Sequence, residues 1–129
     1  MAYDDGNFFT ISFGVDGAPT DTQFLAPGGT AATSANESDV LVFVACAVRR
    51  IDVIQVVAPG GVVVSSYTLR DDGADTLAVA TVTGVATTGN WTGHIAIAAG
   101  SLLSMRYDES AGSTTDEVGV IVQLHPFVG

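Results

Sequence analysis

The residues best suited to chemistry are three aspartates in the segment YTLRDDGADTLAV: Asp71, Asp72 and Asp75. Clustered carboxylates can bind calcium or serve as a catalytic acid and base. A helix-flanked calcium loop needs acids at alternate positions, a glycine at the sixth and a glutamate at the twelfth, where this chain has Val82. The spacing therefore makes these aspartates only weak metal candidates. Asp-Gly between two alternating apolar arms predicts a tight β-hairpin turn instead.

The two histidines, His94 and His125, lack the neighbours that a metal centre needs. Cupin-type metalloenzymes carry a His-x-His closely followed by a glutamate, whereas no acid follows His94 until Asp108. The single cysteine, Cys46, forms no intrachain disulfide and offers one thiolate at most. No Gly-x-Ser-x-Gly motif marks an activated serine, and no glycine pattern resembles a phosphate loop. We expect no enzyme activity, no cofactor and no metal.

The four arginines, Arg49, Arg50, Arg70 and Arg106, stand against 14 acidic residues in a chain without lysine. Such scarce cations suit the carboxylates of a neighbouring copy, because a guanidinium binds a carboxylate through two parallel hydrogen bonds. The alternative is pairing within the chain at the surface, which contributes little to stability. Both interpretations stay open. Ile121 is a further interface candidate. It places an apolar side chain on the second face of the predicted strand 118–125, whose first face is already apolar.

Composition limits the partners of the chain. The formal net charge is −10 and the pI about 4.1, yet mean hydropathy is +0.42. Like charge repels nucleic acid and anionic lipid, so neither is an expected partner. A 47% apolar content with only 14% charged residues predicts surface buried in a homo-oligomer. The acidity without lysine also suggests a halophilic source, where concentrated salt screens self-repulsion.

The start of the chain and its apolar runs predict neither a secretory signal nor a membrane span. The start, MAYDDGNFF, is acidic where a signal would be basic. The longest unbroken apolar run, 40–48, has about half the length that a membrane helix needs.

Period-two alternation predicts strands throughout, because most strong helix formers are absent. The run 40–48 is apolar at both parities and predicts a central strand or one at an interface. The segment 51–58 changes phase between Val53 and Ile54, which predicts a bulge. The other predicted strands are 8–15, 62–69, 77–83, 94–98, 101–107 and 118–125.

Eight short strands in 129 residues predict an all-β fold, an eight-stranded antiparallel jelly-roll sandwich with an extended N-terminal arm or loop. We expect one domain over 1–129, in which 1–39 holds the arm, a first strand at 8–15 and a long loop without a core pattern, and 40–125 holds the main strands. An immunoglobulin-like sandwich is the alternative. It lacks support because the chain has no Cys…Trp…Cys pattern and Trp91 falls in a predicted connector.

The blocks RRIDVIQVVAPGGVVVSSYTLRDDGADT, IAIAAGSLLSMRYDES and VGVIVQLHP resemble small jelly-roll domains of tailed viruses, as in capsid decoration proteins, head fibres and some tail-fibre tips. The resemblance covers about residues 40–125 and includes no catalytic motif. It implies a homo-oligomer, a trimer or as an alternative a pentamer, on the capsid exterior, bound to a separate major capsid protein. An N-terminal arm of this kind could make the capsid contact.

Two functions follow as expectations. The first is a non-enzymatic virion structural protein that decorates and stabilises a capsid. The second is a receptor- or carbohydrate-binding module of a viral fibre, for which exposed aromatic side chains such as Trp91, Tyr67 and Tyr107 would serve. The acidity departs from ordinary members of such families and would suit a virus of a halophilic host.

Overall fold

The computed structural model describes residues 6–29 and 31–128, in which all regular elements are β-strands. They are β1 (Phe9–Val15), β2 (Gln23–Phe24), β3 (Ala26–Pro27), β4 (Val40–Leu41), β5 (Cys46–Val57), β6 (Val64–Asp71), β7 (Ala74–Thr83), β8 (Thr88–Ile97), β9 (Leu102–Glu109) and β10 (Asp116–Pro126). No helix in this part of the chain is long and apolar enough to cross a membrane.

Two antiparallel sheets form a β-sandwich, so the all-β prediction is confirmed. Sheet 1 has the strand order β3-β1-β10-β5-β8, and sheet 2 has the order β2-β9-β6-β7, with β4 also paired to β9. The core lies between them and uses the predicted alternation, for example Leu103, Met105 and Tyr107 on β9. Strand β10 contributes every second residue from Val118 to Leu124 in the same way.

The predicted Asp-Gly hairpin is also confirmed. Asp71 pairs with Ala74, and the two residues between them, Asp72 and Gly73, have φ of 49° and 80°. Positive φ at both central positions is what a two-residue type I′ turn requires. The turn is fixed to β9 because Asp72 Oδ1 accepts a hydrogen bond from the Leu102 amide at 2.8 Å.

The prediction of a single strand over 40–48, central or at an interface, is wrong. Val40 and Leu41 pair with β9 in sheet 2, whereas β5 begins at Cys46 in sheet 1. Between them the chain crosses from one sheet to the other: Val42 bonds the loop at 100–101, and Phe43 is 80% exposed. The apolar run gives no sign of this break, because both of its halves are apolar strand residues.

The predicted bulge between Val53 and Ile54 is wrong as well. Strand β5 keeps its phase there, so that Val53 and Gln55 face the core while Ile54 and Val56 face outward. The register instead shifts at Arg49, relative to both β10 and β8. The inward-facing residue at this point of β5 is a buried glutamine, and its apolar neighbours face outward. The apolar residues alone therefore do not show which face of the strand is buried.

Two further segments differ from expectation. Trp91 lies within β8 rather than in a connector, and it packs partly buried against the core. The segment 16–39, predicted as a long loop without a core pattern, carries β2, β3 and the fully buried Leu25. These strands have two residues each, too few for a period-two pattern.

The loops gather at two ends of the sandwich. We call them the Phe43 end, with the loops 42–45, 72–73 and 98–101, and the Val62 end, with the loops 58–63, 84–87 and 110–115. Along one side, the edge strands β7 and β8 lie against each other. A Cβ on Gly89 would stand 2.0 Å from the carbonyl oxygen of Thr81, so this close approach requires glycine.

Candidate functional site

The outer face of sheet 1 is built from the residues that alternate with core residues on its strands. Across β1, β10, β5 and β8, paired residues form rows on this face. One row is Gly14, Gly119, Ile54 and Thr88; the next is Ser12, Ile121, Asp52 and Asn90; the third is Thr10, Gln123, Arg50 and Thr92. Most of these side chains are small, which leaves the larger apolar ones prominent.

Three apolar side chains stand out on this outer face. Ile54 is 61% exposed, Val56 is 67% exposed and Ile121 is 50% exposed. Gln55 between the first two is only 2% exposed. A sheet with one solvated face normally places its apolar residues inward and its polar residues outward. This stretch of β5 does the reverse, which makes the three side chains a candidate interaction surface.

Arg49 and Arg50 lie on the same outer face, inside β5 rather than in the connector that the sequence predicts. The Arg50 Nε atom donates to both Asp52 carboxylate oxygens, at 2.9 and 2.7 Å. The Arg49 Nε atom donates to the Gly93 carbonyl oxygen at 3.1 Å. The Arg50 side chain remains 43% exposed, so it borders the apolar strip while paired within its own strand.

Arg70 and Arg106 lie on the outer face of sheet 2, in a network of ion pairs. Arg106 donates to Asp75 through both terminal nitrogens, at 2.8 and 3.1 Å, and through Nε to Asp108 at 2.8 Å. Arg70 bonds Asp75 as well, and its Nε donates to Glu37. The network therefore ties the segment before β4 to sheet 2.

These ion pairs shift the ionisation of the acids. The hydrogen bond from Arg70 lowers the pKa of Glu37, and the hydrogen bonds from Arg106 and then Arg70 lower the pKa of Asp75. Arg50, Arg70 and Arg106 thus each have a carboxylate partner within the chain. Contacts of these arginines with a neighbouring copy stay a prediction.

The three aspartates of the hairpin do not converge. Asp72 accepts from the Leu102 amide, and Asp75 is held by the two arginines. Asp71 Oδ1 is buried and has no hydrogen-bond partner among the described residues. Burial and, secondly, the charge of Asp71 raise the pKa of Cys46 to about 11. Within 6–29 and 31–128 there is no group of three or more His, Cys, Asp or Glu side chains that could hold a metal ion.

A buried polar cluster lies between the sheets near the Val62 end. Gln55 Nε2 donates to the Tyr67 hydroxyl at 2.5 Å, and Tyr107 donates to Glu109 at 2.8 Å. The two tyrosine rings are 5.3 Å apart and fully buried. Burial raises the pKa of both phenols. Neither tyrosine, nor the inward-packed Trp91, offers the exposed ring that a carbohydrate site needs.

Sequence patterns could have located part of this face. Consecutive arginines at 49 and 50 interrupt the alternation of β5, which is a sign of a bulge. No comparable feature of the sequence indicates that Ile54 and Val56 are exposed. In comparisons with known proteins, no family model matches the chain and no curated protein is significantly similar to it.

Proposed function

We propose that this chain is a non-enzymatic structural protein of a tailed virus, which forms a homo-oligomer on the capsid exterior and stabilises the shell. The observation that supports the proposal best is the apolar strip of Ile54, Val56 and Ile121 on the outer face of sheet 1. A strip of this kind on a strongly acidic protein is suited to burial between protein surfaces. The resemblance of the sequence to small jelly-roll domains of tailed viruses is the reason for proposing a homo-oligomer on a capsid.

The mechanism is mechanical. An oligomer that bridges neighbouring copies of the major capsid protein adds interface area, and binding to the assembled shell but not to dissociated subunits stabilises the shell by mass action. The net charge of −10 keeps decorated particles apart in solution. Jelly-roll topology, a trimer or pentamer, and a halophilic host are parts of the same proposal.

The carbohydrate- or receptor-binding alternative gains nothing from the fold. The three aromatic residues that would serve it are buried or packed against the core. Glycan-array binding by the purified chain would nevertheless revive it.

The proposal is tested with capsids that lack the protein. We expect the purified chain to form an oligomer and to bind such capsids in many copies, visible by cryo-electron microscopy. The variant I54S/I121S should lose both properties. The matched control is L77S/V85S, which replaces two side chains that are each 88% exposed but lie away from the strip. A chain that stays monomeric and ignores the capsids would refute the proposal.

The halophilic part has its own test. Repulsion among the acidic side chains grows as screening falls, because the Debye length increases from about 3 Å at 1 M salt to about 10 Å at 0.1 M. We expect the melting temperature of the chain to fall on desalting. A melting temperature that rises on desalting would contradict the halophilic host and leave the capsid proposal standing.

A further inference from the structure

Strand β1 is paired along only part of one of its two sides. On one side β10 pairs with it over its whole length. On the other side β3 pairs with Phe13 and Gly14, and the Gly28 amide donates to the Ser12 carbonyl oxygen at 3.0 Å. Before Ser12, no strand in the described ranges, 6–29 and 31–128, lies on this side of β1. The first half of β1 therefore forms an edge of sheet 1.

The backbone groups at this edge follow a defined pattern. N–H and C=O groups of successive strand residues point to opposite sides, and those of Ser12 point away from β10 because Gly28 bonds them. Those of Thr10 consequently point the same way. The extended course continues to Phe8, whose ring lies 5.5 Å from that of His125 on β10. Phe8 and Thr10 thus offer two amide donors and two carbonyl acceptors. We call Phe8–Ile11 the open edge.

The side chains of the open edge are those of a strand that can accept a neighbour. Sheet proteins commonly block their edges with lysine, proline or an inward-pointing charge. The sequence FFTIS, 8–12, contains no charged residue, no proline and no glycine, and most of its residues favour strands. Phe9 and Ile11 face the core but are only partly buried, whereas Phe13 and Val15 are buried. Incomplete burial thus coincides with the missing neighbour strand.

We propose that the open edge pairs with the open edge of a second copy of this chain, antiparallel and about a two-fold axis at Phe9. In this register Thr10 of each copy lies opposite Phe8 of the other. The two donors and two acceptors of each copy are then matched one for one, which gives four hydrogen bonds. The partly buried Phe9 and Ile11 gain cover on the core side of the joined sheets.

Two features favour a second copy over an extended segment of an unrelated protein. Phe9 meets its own equivalent in a pair without hydrogen bonds, where side chains approach closest, and an aromatic pair at such a position stabilises strand pairing. The second feature is length. From Ser12 onward β3 and the residue after it occupy the edge, so that an added strand has room for only a few residues. A second copy has the same limit, so each open edge covers the other completely.

The size of the contact indicates that it is weak. Three paired residues span about 10 Å at the usual rise of a strand, and an isolated pair of strands is at best marginally stable. The buried area is far below the about 800 Å² per partner of a standard interface. The pairing should therefore be detectable only at high protein concentration. It uses the edge of sheet 1 and not the apolar strip, so the inference does not depend on the proposed function.

Disulfide trapping tests the position of the two-fold axis. F9C and T10C are each made with I54S/I121S, which removes association through the strip, and are oxidised at about 1 mM chain. The Cα atoms of the two residues 9 would lie about 4.5 Å apart, within the range of a disulfide, and those of the two residues 10 about 7–8 Å apart, beyond it. We expect F9C to form covalent dimers at least about tenfold faster. Random collisions would favour T10C, because residue 10 is exposed and residue 9 is partly buried.

A proline substitution tests the backbone pairing without a cysteine. T10P removes an amide that points away from β10, so the fold should persist, which the melting temperature checks. T10V keeps the amide and is the matched control. By sedimentation equilibrium in the same I54S/I121S background, T10P should lower the association constant at least about fivefold, because two of the four hydrogen bonds are lost. T10V should stay within about twofold of its parent.

The outcomes separate this inference from the proposed function. The inference is wrong if F9C is trapped no faster than T10C, or if T10P associates as tightly as T10V. In an otherwise wild-type chain, loss of capsid binding by T10P without loss of the edge pairing would assign the open edge to the capsid protein and also overturn it. A wild-type chain that does not bind capsids, while F9C is trapped as expected, overturns the proposed function alone.

Discussion

The hydrogen bond between Gln55 and Tyr67 allows a quantitative prediction about the free energy of unfolding, because both side chains are almost completely buried. Replacing Tyr67 by Phe removes the hydroxyl that accepts from Gln55 Nε2 and leaves that amide without this partner. A buried polar group left unsatisfied costs about 1–3 kcal/mol. Q55M removes the other partner and should cost a similar amount. For a chain of this size, each 1 kcal/mol corresponds to a shift in melting temperature of about 3–6 °C.

The double variant Y67F/Q55M is the decisive one. It replaces both partners by apolar groups of similar size, which can be nearly neutral. We therefore expect it to cost about 1 kcal/mol or less, well below the sum of the single variants. Urea unfolding followed by the fluorescence of Trp91 gives the free energies, provided that the slope with urea stays constant. Costs that add to within about 0.5 kcal/mol would refute the reasoning.

Three further predictions concern single positions. Burial raises the pKa of Cys46 to about 11, so a thiol reagent at about pH 8 should label it only as the chain unfolds; rapid labelling of the folded chain would contradict its burial. Ion pairing lowers the pKa of Glu37 in the folded chain. The stabilisation that ionised Glu37 gives the folded state is therefore present above its unfolded pKa near 4 and is lost as the pH falls through its folded pKa. E37Q should therefore lower the unfolding free energy by at most about 1 kcal/mol at neutral pH and leave it unchanged in acid, with D39N as the control. Finally, G89A should destabilise by about 1–3 kcal/mol or more because its Cβ would meet Thr81, whereas G112A, where a Cβ meets nothing within 4 Å, should fold normally.

Much of the sandwich is predictable because its long strands bury one face. Alternation in β9 and β10 identifies their core residues, and Asp-Gly identifies the hairpin. The crossing at 42–45 is not predictable in this way, since the residues on both sides are apolar. The phase of β5 depends on Tyr67, which lies twelve residues beyond Gln55 in the sequence. No local pattern reports such a partner.

The candidate site was predictable only in part. Ile121 was expected on an apolar second face, and it lies on the outer face of sheet 1, 50% exposed. The outer face requires that β10, β5 and β8 be neighbours, and this order comes from pairing between distant segments of the chain. The scarcity of cations singles out the arginines in the sequence, but it does not show on which face of a sheet they lie.

The contact between β7 and β8 affects how copies of the chain behave at high local concentration. A free edge strand can pair with a strand of another molecule, and such pairing leads to aggregation. Here the edge strands β7 and β8 lie against each other at Thr81 and Gly89. A strand of another molecule therefore has little access to the sandwich along this side. At high local concentration this contact should suppress pairing between the long edges of neighbouring copies.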